Sequence, residues 1–161
     1  MSEFKIYTDG SCLENPGAGG YAAVIIDENG NLQEFFGGEP ETTNNRMELT
    51  AAIVALKKVS PDDFVEFFTD SQYLKNAFTQ GWLANWKRNG WKTANKKPVL
   101  NIDLWKKLDA LILNRSIKFN WVKGHAGNTF NERCDKLARA EAERQKLKPA
   151  IRTKPVQLTL F

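Results

Sequence analysis

The apolar residues change period just before residue 44, and that change commits the chain to a sheet layered with helices. Phe4, Ile6 and Thr8 alternate with Lys5, Tyr7 and Asp9. This is the two-residue repeat of a strand, and it predicts a strand ending at Asp9-Gly10. The Gly- and Pro-containing stretch from Gly10 to Gly20 reads as a turn. Two more strands, Tyr21–Asp27 and Leu32–Phe36, are joined through Glu28-Asn29-Gly30-Asn31, and an Asn-Gly pair between apolar runs marks a hairpin. From Asn44 the spacing becomes helical. Met47, Ala51, Val54 and Ala55 share one face with Leu49, Ile53 and Leu56 beside them, which predicts a helix over 44–58.

The rest alternates between the two periods. Ser60-Pro61-Asp62-Asp63 breaks the helix, Phe64–Thr69 reads as a buried strand running into Asp70, and Ser71–Thr79 reads as a helix. Gly81–Gly90 predicts a short helix. Asn101–Leu113 predicts an amphipathic one with Asn101 as its N-cap. Ile117–Val122 is a last strand and Asn131–Glu143 a last helix, with Cys134, Leu137 and Ala138 as its apolar stripe. The fold class is therefore mixed α/β: a five-stranded sheet, an antiparallel meander extended by parallel strands, with helices on both faces. Residues 1–144 form one domain. Residues 145–161 are a tail without periodicity, carrying four cations and two prolines.

Charge narrows the function. Lys and Arg total 23 against 19 Asp and Glu, a net +4. The segment Trp86–Lys97 holds five cations, two tryptophans and no acid. A basic surface beside a separate acidic site is the layout a metal-dependent nuclease needs. No apolar run approaches the roughly 20 residues of a membrane span, and the N-terminus lacks a secretory pattern, so the expected location is the cytoplasm. Cys12 and Cys134 form no metal-binding spacing and read as reduced thiols that lie near each other.

Four acids stand out by position. Asp9 and Asp70 end apolar strands, whereas Glu48 and Asp135 lie in predicted helices. A sheet-centred fold can bring strand ends and flanking helices into one crevice, where hard oxygen ligands suit Mg²⁺ or Mn²⁺ rather than zinc. Spacing alone leaves a second reading open, in which these are ordinary solvated acids.

Here the residues carry a resemblance. TDGSC (Thr8–Cys12), TTNNRMEL (Thr42–Leu49), TDSQY (Thr69–Tyr73) and WVKGHAGNTFNERCDKLA (Trp121–Ala138) resemble the blocks of type 1 ribonuclease H, close to the bacterial form. The resemblance runs from about Phe4 to Ala142. It implies the ribonuclease H-like fold and an endonuclease that hydrolyses the RNA strand of RNA–DNA hybrids, leaving 3′-hydroxyl and 5′-phosphate ends. It further implies that Asp9, Glu48, Asp70 and Asp135 hold two Mg²⁺ ions, with Mn²⁺ a possible substitute. His125, in a glycine-flanked loop, would assist proton transfer or product release. Asn15, Asn44, Asn45 and Gln72 would lie near the RNA strand, and Thr43 and Arg46 near a DNA phosphate. The basic segment, about 81–98, matches the family's handle, in which Trp86, Lys87, Arg88 and Lys92 would grip the DNA strand with Lys96 and Lys97. A helix-capping role for Asn44 competes with substrate contact.

Two positions depart from the family. Glu14 stands where Gly is common, placing a carboxylate near the RNA backbone, and Ala18 where Pro is common. Another nuclease of the same fold would not be expected to share the handle, and a binding module that had lost catalysis should lack one of the four acids. Gln157, Leu158, Leu160 and Phe161 resemble the short peptide by which replication proteins dock on a sliding clamp. The alternative is that the tail folds back on its own domain. A monomer is expected.

Overall fold

The computed structural model describes the backbone of residues 2–123 and 128–159 and the side chains of residues 2–123 and 128–147. Three antiparallel strands come first: β1 (Glu3–Cys12), β2 (Gly17–Asp27) and β3 (Leu32–Thr42). Helix α1 (Asn44–Lys57) leads to β4 (Phe64–Thr69), and helices α2 (Gln72–Thr79), α3 (Trp82–Arg88) and α4 (Ile102–Ile112) follow. Strand β5 (Ser116–Trp121) and helix α5 (Thr129–Thr159) complete the chain. The sheet order is β3-β2-β1-β4-β5, with β4 parallel to both β1 and β5. Strand β1 is therefore central, and its C-terminal end lies beside that of β4.

Alternation along β1 divides the core. Ile6 joins the cluster under α1 with Leu49, Phe67 and Trp105, while Tyr7 joins Ala22, Val24, Cys134 and Ala138 under α5. Phe67 and Trp105 are fully buried, each contributing roughly 1.5–3 kcal/mol or more of hydrophobic stabilisation. Two glycines let the helices close on the sheet. A Cβ at Gly10 would lie 2.5 Å from the Glu48 backbone nitrogen, and one at Gly20 would collide with the Ala138 carbonyl of α5. Gly10 thus brings α1, and Glu48 on it, directly beside Asp9.

The fold agrees with the expected class, and several local expectations need correction. Strand β1 continues to Cys12 and β2 begins at Gly17, so only residues 13–16 turn where 10–20 was expected. Glycine content suggested a loop, but these glycines are in the sheet because helices pack on them. Asn44 does not cap α1. Thr43 does, its Oγ1 accepting from the Arg46 amide at 3.2 Å, while the Asn44 amide donates to Asn15 Oδ1 at 3.1 Å. Cys12 and Cys134 are both free thiols, but they lie on opposite faces of the sheet. Cys12 donates to the carbonyls of Glu14 and Thr42, and Cys134 to that of Tyr7. An odd step from Asp9 to Cys12 changes face. Helix α5 runs on past Gln145 to Thr159, where no apolar face had marked it. Periodicity detects a helix's buried face, and a helix lacking one escapes it. No helix among the described residues is long and apolar enough to cross a membrane.

Candidate active site

The C-terminal ends of β1 and β4, the first turns of α1 and α2, and α5 frame a cleft of about 340 Å³. Its walls include Asp9, Glu48, Asp70 and Asp135, with the amides Asn44, Asn45 and Gln72, and with Ser71 and Tyr73. Four acids from four elements, far apart in sequence, thus share one opening.

Three of them form the centre. Asp9, Glu48 and Asp70 each offer one carboxylate oxygen, and these oxygens all lie within 4.8 Å of one another. Asp9 and Glu48 are both buried, and Asp9 Oδ1 accepts from the Gly10 amide at 2.9 Å. Burial first, and the Asp70 carboxylate second, push Asp9 up to about 7. Burial also carries Glu48 well above the usual carboxylate range, with Asp9 and Asp70 adding to it. Asp9 Oδ2 and Glu48 Oε2 are buried without a hydrogen-bond partner. Buried carboxylates with unused lone pairs are neutralised by protons or by a cation. An all-oxygen donor set fits a hard divalent ion. Asp135 stands at the cleft's edge, ion-paired with Arg139 at 3.1 Å, and its charge also raises Asp9.

The other expected residues divide into groups. Asn15 meets Asn44 at the start of α1, bringing two of the expected RNA contacts together. Thr43 spends its hydroxyl on the α1 cap. Arg46 forms a bidentate pair with Asp103, 3.0 and 2.8 Å, which holds the Asp103 carboxyl down at about 2. Glu14 is exposed and lines a separate hollow with Leu13, Pro40 and Lys146, outside the carboxylate cleft. His125 lies outside the described residues, as do the side chains of Gln157, Leu158, Leu160 and Phe161.

In the basic segment, Trp86 stands between Trp82, at a centroid distance of 6.3 Å, and Trp105, edge-on at 5.4 Å. Its ring packs α3 onto α4. Lys87 pairs with Asp109 at 3.1 Å, Arg88 bonds Asn85, and Lys92 is exposed. Trp91 receives Lys106 over its ring at 5.9 Å. Sequence reasoning missed Tyr73, Asn101 and Asp103. Tyr73 lies one place beyond a recognised amide and gave no separate signal. Asn101 resembled an ordinary cap.

A family model described as RNase H matches residues 1–143. The ribonuclease H of Enterobacter sp. (strain 638) is 58% identical over 140 residues, covering 87% of this chain and 89% of that protein. The ribonuclease H of Escherichia coli O127:H6 is 56% identical over 142 residues, covering 88% and 90%. Among solved structures, LC9-RNase H1, a type 1 RNase H with the type 2 active-site motif, aligns with a TM-score of 0.78 at 30% identity, covering 90% of this chain and 74% of that one. LC11-RNase H1, solved in complex with an RNA/DNA hybrid, aligns with a TM-score of 0.63 at 28% identity, covering 88% and 97%.

Proposed function

The chain belongs to the ribonuclease H family, and we propose that its carboxylate cleft hydrolyses the RNA strand of RNA–DNA hybrids, leaving 3′-hydroxyl and 5′-phosphate ends. The observation that carries this reading is the trio Asp9, Glu48 and Asp70, with ligand oxygens within 4.8 Å and buried oxygens left without partners. These three, with Asp135 at the rim, would hold divalent ions, Mg²⁺ or Mn²⁺ in its place. Two such ions would supply Lewis acidity at the phosphodiester and lower the pKa of the attacking water.

The chain's own groups supply recognition. The carboxamides of Asn44, Asn45 and Gln72 line the cleft, and a carboxamide both donates and accepts, matching the 2′-hydroxyl that distinguishes RNA from DNA. Asn15, tied to the Asn44 amide, extends that surface along the RNA strand. Thr43 and Arg46 face a phosphate of the DNA strand, and Trp86, Lys87, Arg88 and Lys92 hold that strand farther out. His125 moves a proton or frees the product. The protein acts as a monomer in the cytoplasm. Gln157, Leu158, Leu160 and Phe161 dock it on a sliding clamp, a reading supported by the family match ending at residue 143 and leaving the tail outside the shared domain.

Purified protein is offered labelled hybrid, duplex RNA and duplex DNA, with and without Mg²⁺. Only the hybrid's RNA strand is cut, and only with the metal. Asp70→Asn abolishes cutting yet keeps most of the hybrid affinity. Undiminished turnover by that variant at matched Mg²⁺ would sink the assignment.

A further inference from the structure

Of the four cleft acids, three gather and one is held apart. Asp9, Glu48 and Asp70 bring oxygens within 4.8 Å of one another, and that trio does not include Asp135. The Asp135 carboxylate is engaged along its own helix. Arg139 Nε donates to its Oδ1 at 3.2 Å, and Arg139 Nη2 lies 3.1 Å from its Oδ2. One guanidinium thus takes a hydrogen bond to each oxygen, in the side-on bidentate form. An acid four residues ahead of a base is the favoured order on a helix, so α5 itself sets this pair.

On an open helix face such a pair contributes little. The position of this one changes what it does. Only 19% of the Asp135 side chain is exposed, against 66% of the Arg139 side chain. Asp135 lines the carboxylate cleft, and its negative charge reaches Asp9, where it adds to the push from Asp70. Arg139 therefore stands behind the rim acid as a fixed positive charge facing the cleft. A guanidinium does not deprotonate, so the charge persists at every working pH. A cation arriving at Asp135 meets a carboxylate whose charge is already balanced and whose oxygens already accept hydrogens. Asp9 and Glu48 instead keep buried oxygens without a partner.

We propose that Arg139 is a built-in competitor of the divalent ion at the rim of the cleft. It weakens the hold of Asp135 on that ion and so sets the metal concentration at which the site fills. The inference rests on the nuclease reading above and concerns its metal supply. The trio keeps the tighter position, and the rim position fills at higher metal. Arg139 touches neither substrate nor the reacting atoms, and it acts through Asp135.

Two substitutions separate charge from geometry. Arg139→Lys keeps the positive charge and loses the fork, whereas Arg139→Gln keeps a donor and loses the charge. Mn²⁺ binding to the full chain without substrate is followed by electron paramagnetic resonance of the free ion. The Mg²⁺ concentration giving half-maximal cleavage of a labelled hybrid is measured beside it. Arg139→Gln binds the rim ion about threefold to fivefold more tightly, the scale of an exposed ion pair. Its half-maximal Mg²⁺ concentration falls by the same factor, while Arg139→Lys stays close to wild type. In an Asp135→Asn background, Arg139→Gln leaves metal binding unchanged, because the acid through which it acts is gone. Metal affinity in Arg139→Gln equal to wild type overturns the proposal and leaves an ordinary helix pair. Weaker affinity also overturns it, since Arg139 would then be orienting Asp135 toward the ion. A raised KM and a shallower salt slope at unchanged metal affinity would make Arg139 a phosphate contact and overturn it too. If wild type does not cut hybrid, the nuclease reading fails separately, and the Mn²⁺ titration still decides this one.

Discussion

At the scale of single residues, the most consequential fact is that Asp9 and Glu48 are buried acids with oxygens left over. In the metal-free protein, burial and then Asp70 hold Asp9 at about 7 against an ordinary 3.8. An acid raised in the folded state binds more protons when folded than unfolded. Its stability is therefore complete below about pH 4 and is lost as pH climbs through 7, and Glu48 acts in the same sense. With metal chelated, Tm should fall between pH 5 and 8 more in wild type than in Asp70→Asn, which removes one of the opposing charges. Each kcal/mol relieved is worth about 2–4 °C at this chain length. Added Mg²⁺ should recover the wild-type loss through binding to the folded state alone. A melting difference between the two proteins that stays constant across the range would refute the coupling. The sequence made these acids visible because Asp9 follows the alternating run of β1 and Glu48 falls within the helical pattern of α1, although β1 itself continues to Cys12. It did not show that Asp103 meets Arg46, since those residues are neighbours only after α4 packs beside α1.

At the scale of elements, alternation gave both faces of β1, and the helical period gave α1, because each buries one continuous apolar surface. What stayed hidden were contacts in which a side chain is absent. Gly19 and Gly20 read as turn residues, yet they form the bed on which α1 and α5 lie. Helix α5 also shows the reverse case. Its packed residues Cys134, Ala138, Ala142 and Gln145 were partly legible, while its continuation to Thr159 carries no apolar stripe to reveal it. The buried positions among the described residues of α5 end at Gln145. On the docking reading, deleting Gln157–Phe161 should leave Tm unchanged and remove binding to an immobilised sliding clamp. A clear drop in Tm, with no clamp binding by the full-length chain, would show that the tail is packing on its own domain instead.

Across the whole molecule, charge is divided in space: acids converge at the cleft while the cations of the 86–97 segment stand on α3 and the residues after it. The two regions predict different kinetic signatures. Replacing Lys87, Arg88 and Lys92 with Ala should raise KM more than it lowers kcat, because uniform binding is lost far from the reacting atoms. Log K should lose about 0.9 of its salt slope for each phosphate contact removed from a duplex. Lys87 already pairs with Asp109, so the exposed Lys92 should account for more of the change. A slope identical to wild type would make the segment an ordinary solvated surface. The cleft itself draws Asp9, Glu48, Asp70 and Asp135 from β1, α1, the end of β4 and α5, so no contiguous fragment short of residue 135 contains all four. A chain still emerging from the ribosome, its last helix not yet made, therefore lacks part of the acidic cleft among the very RNAs that surround its synthesis.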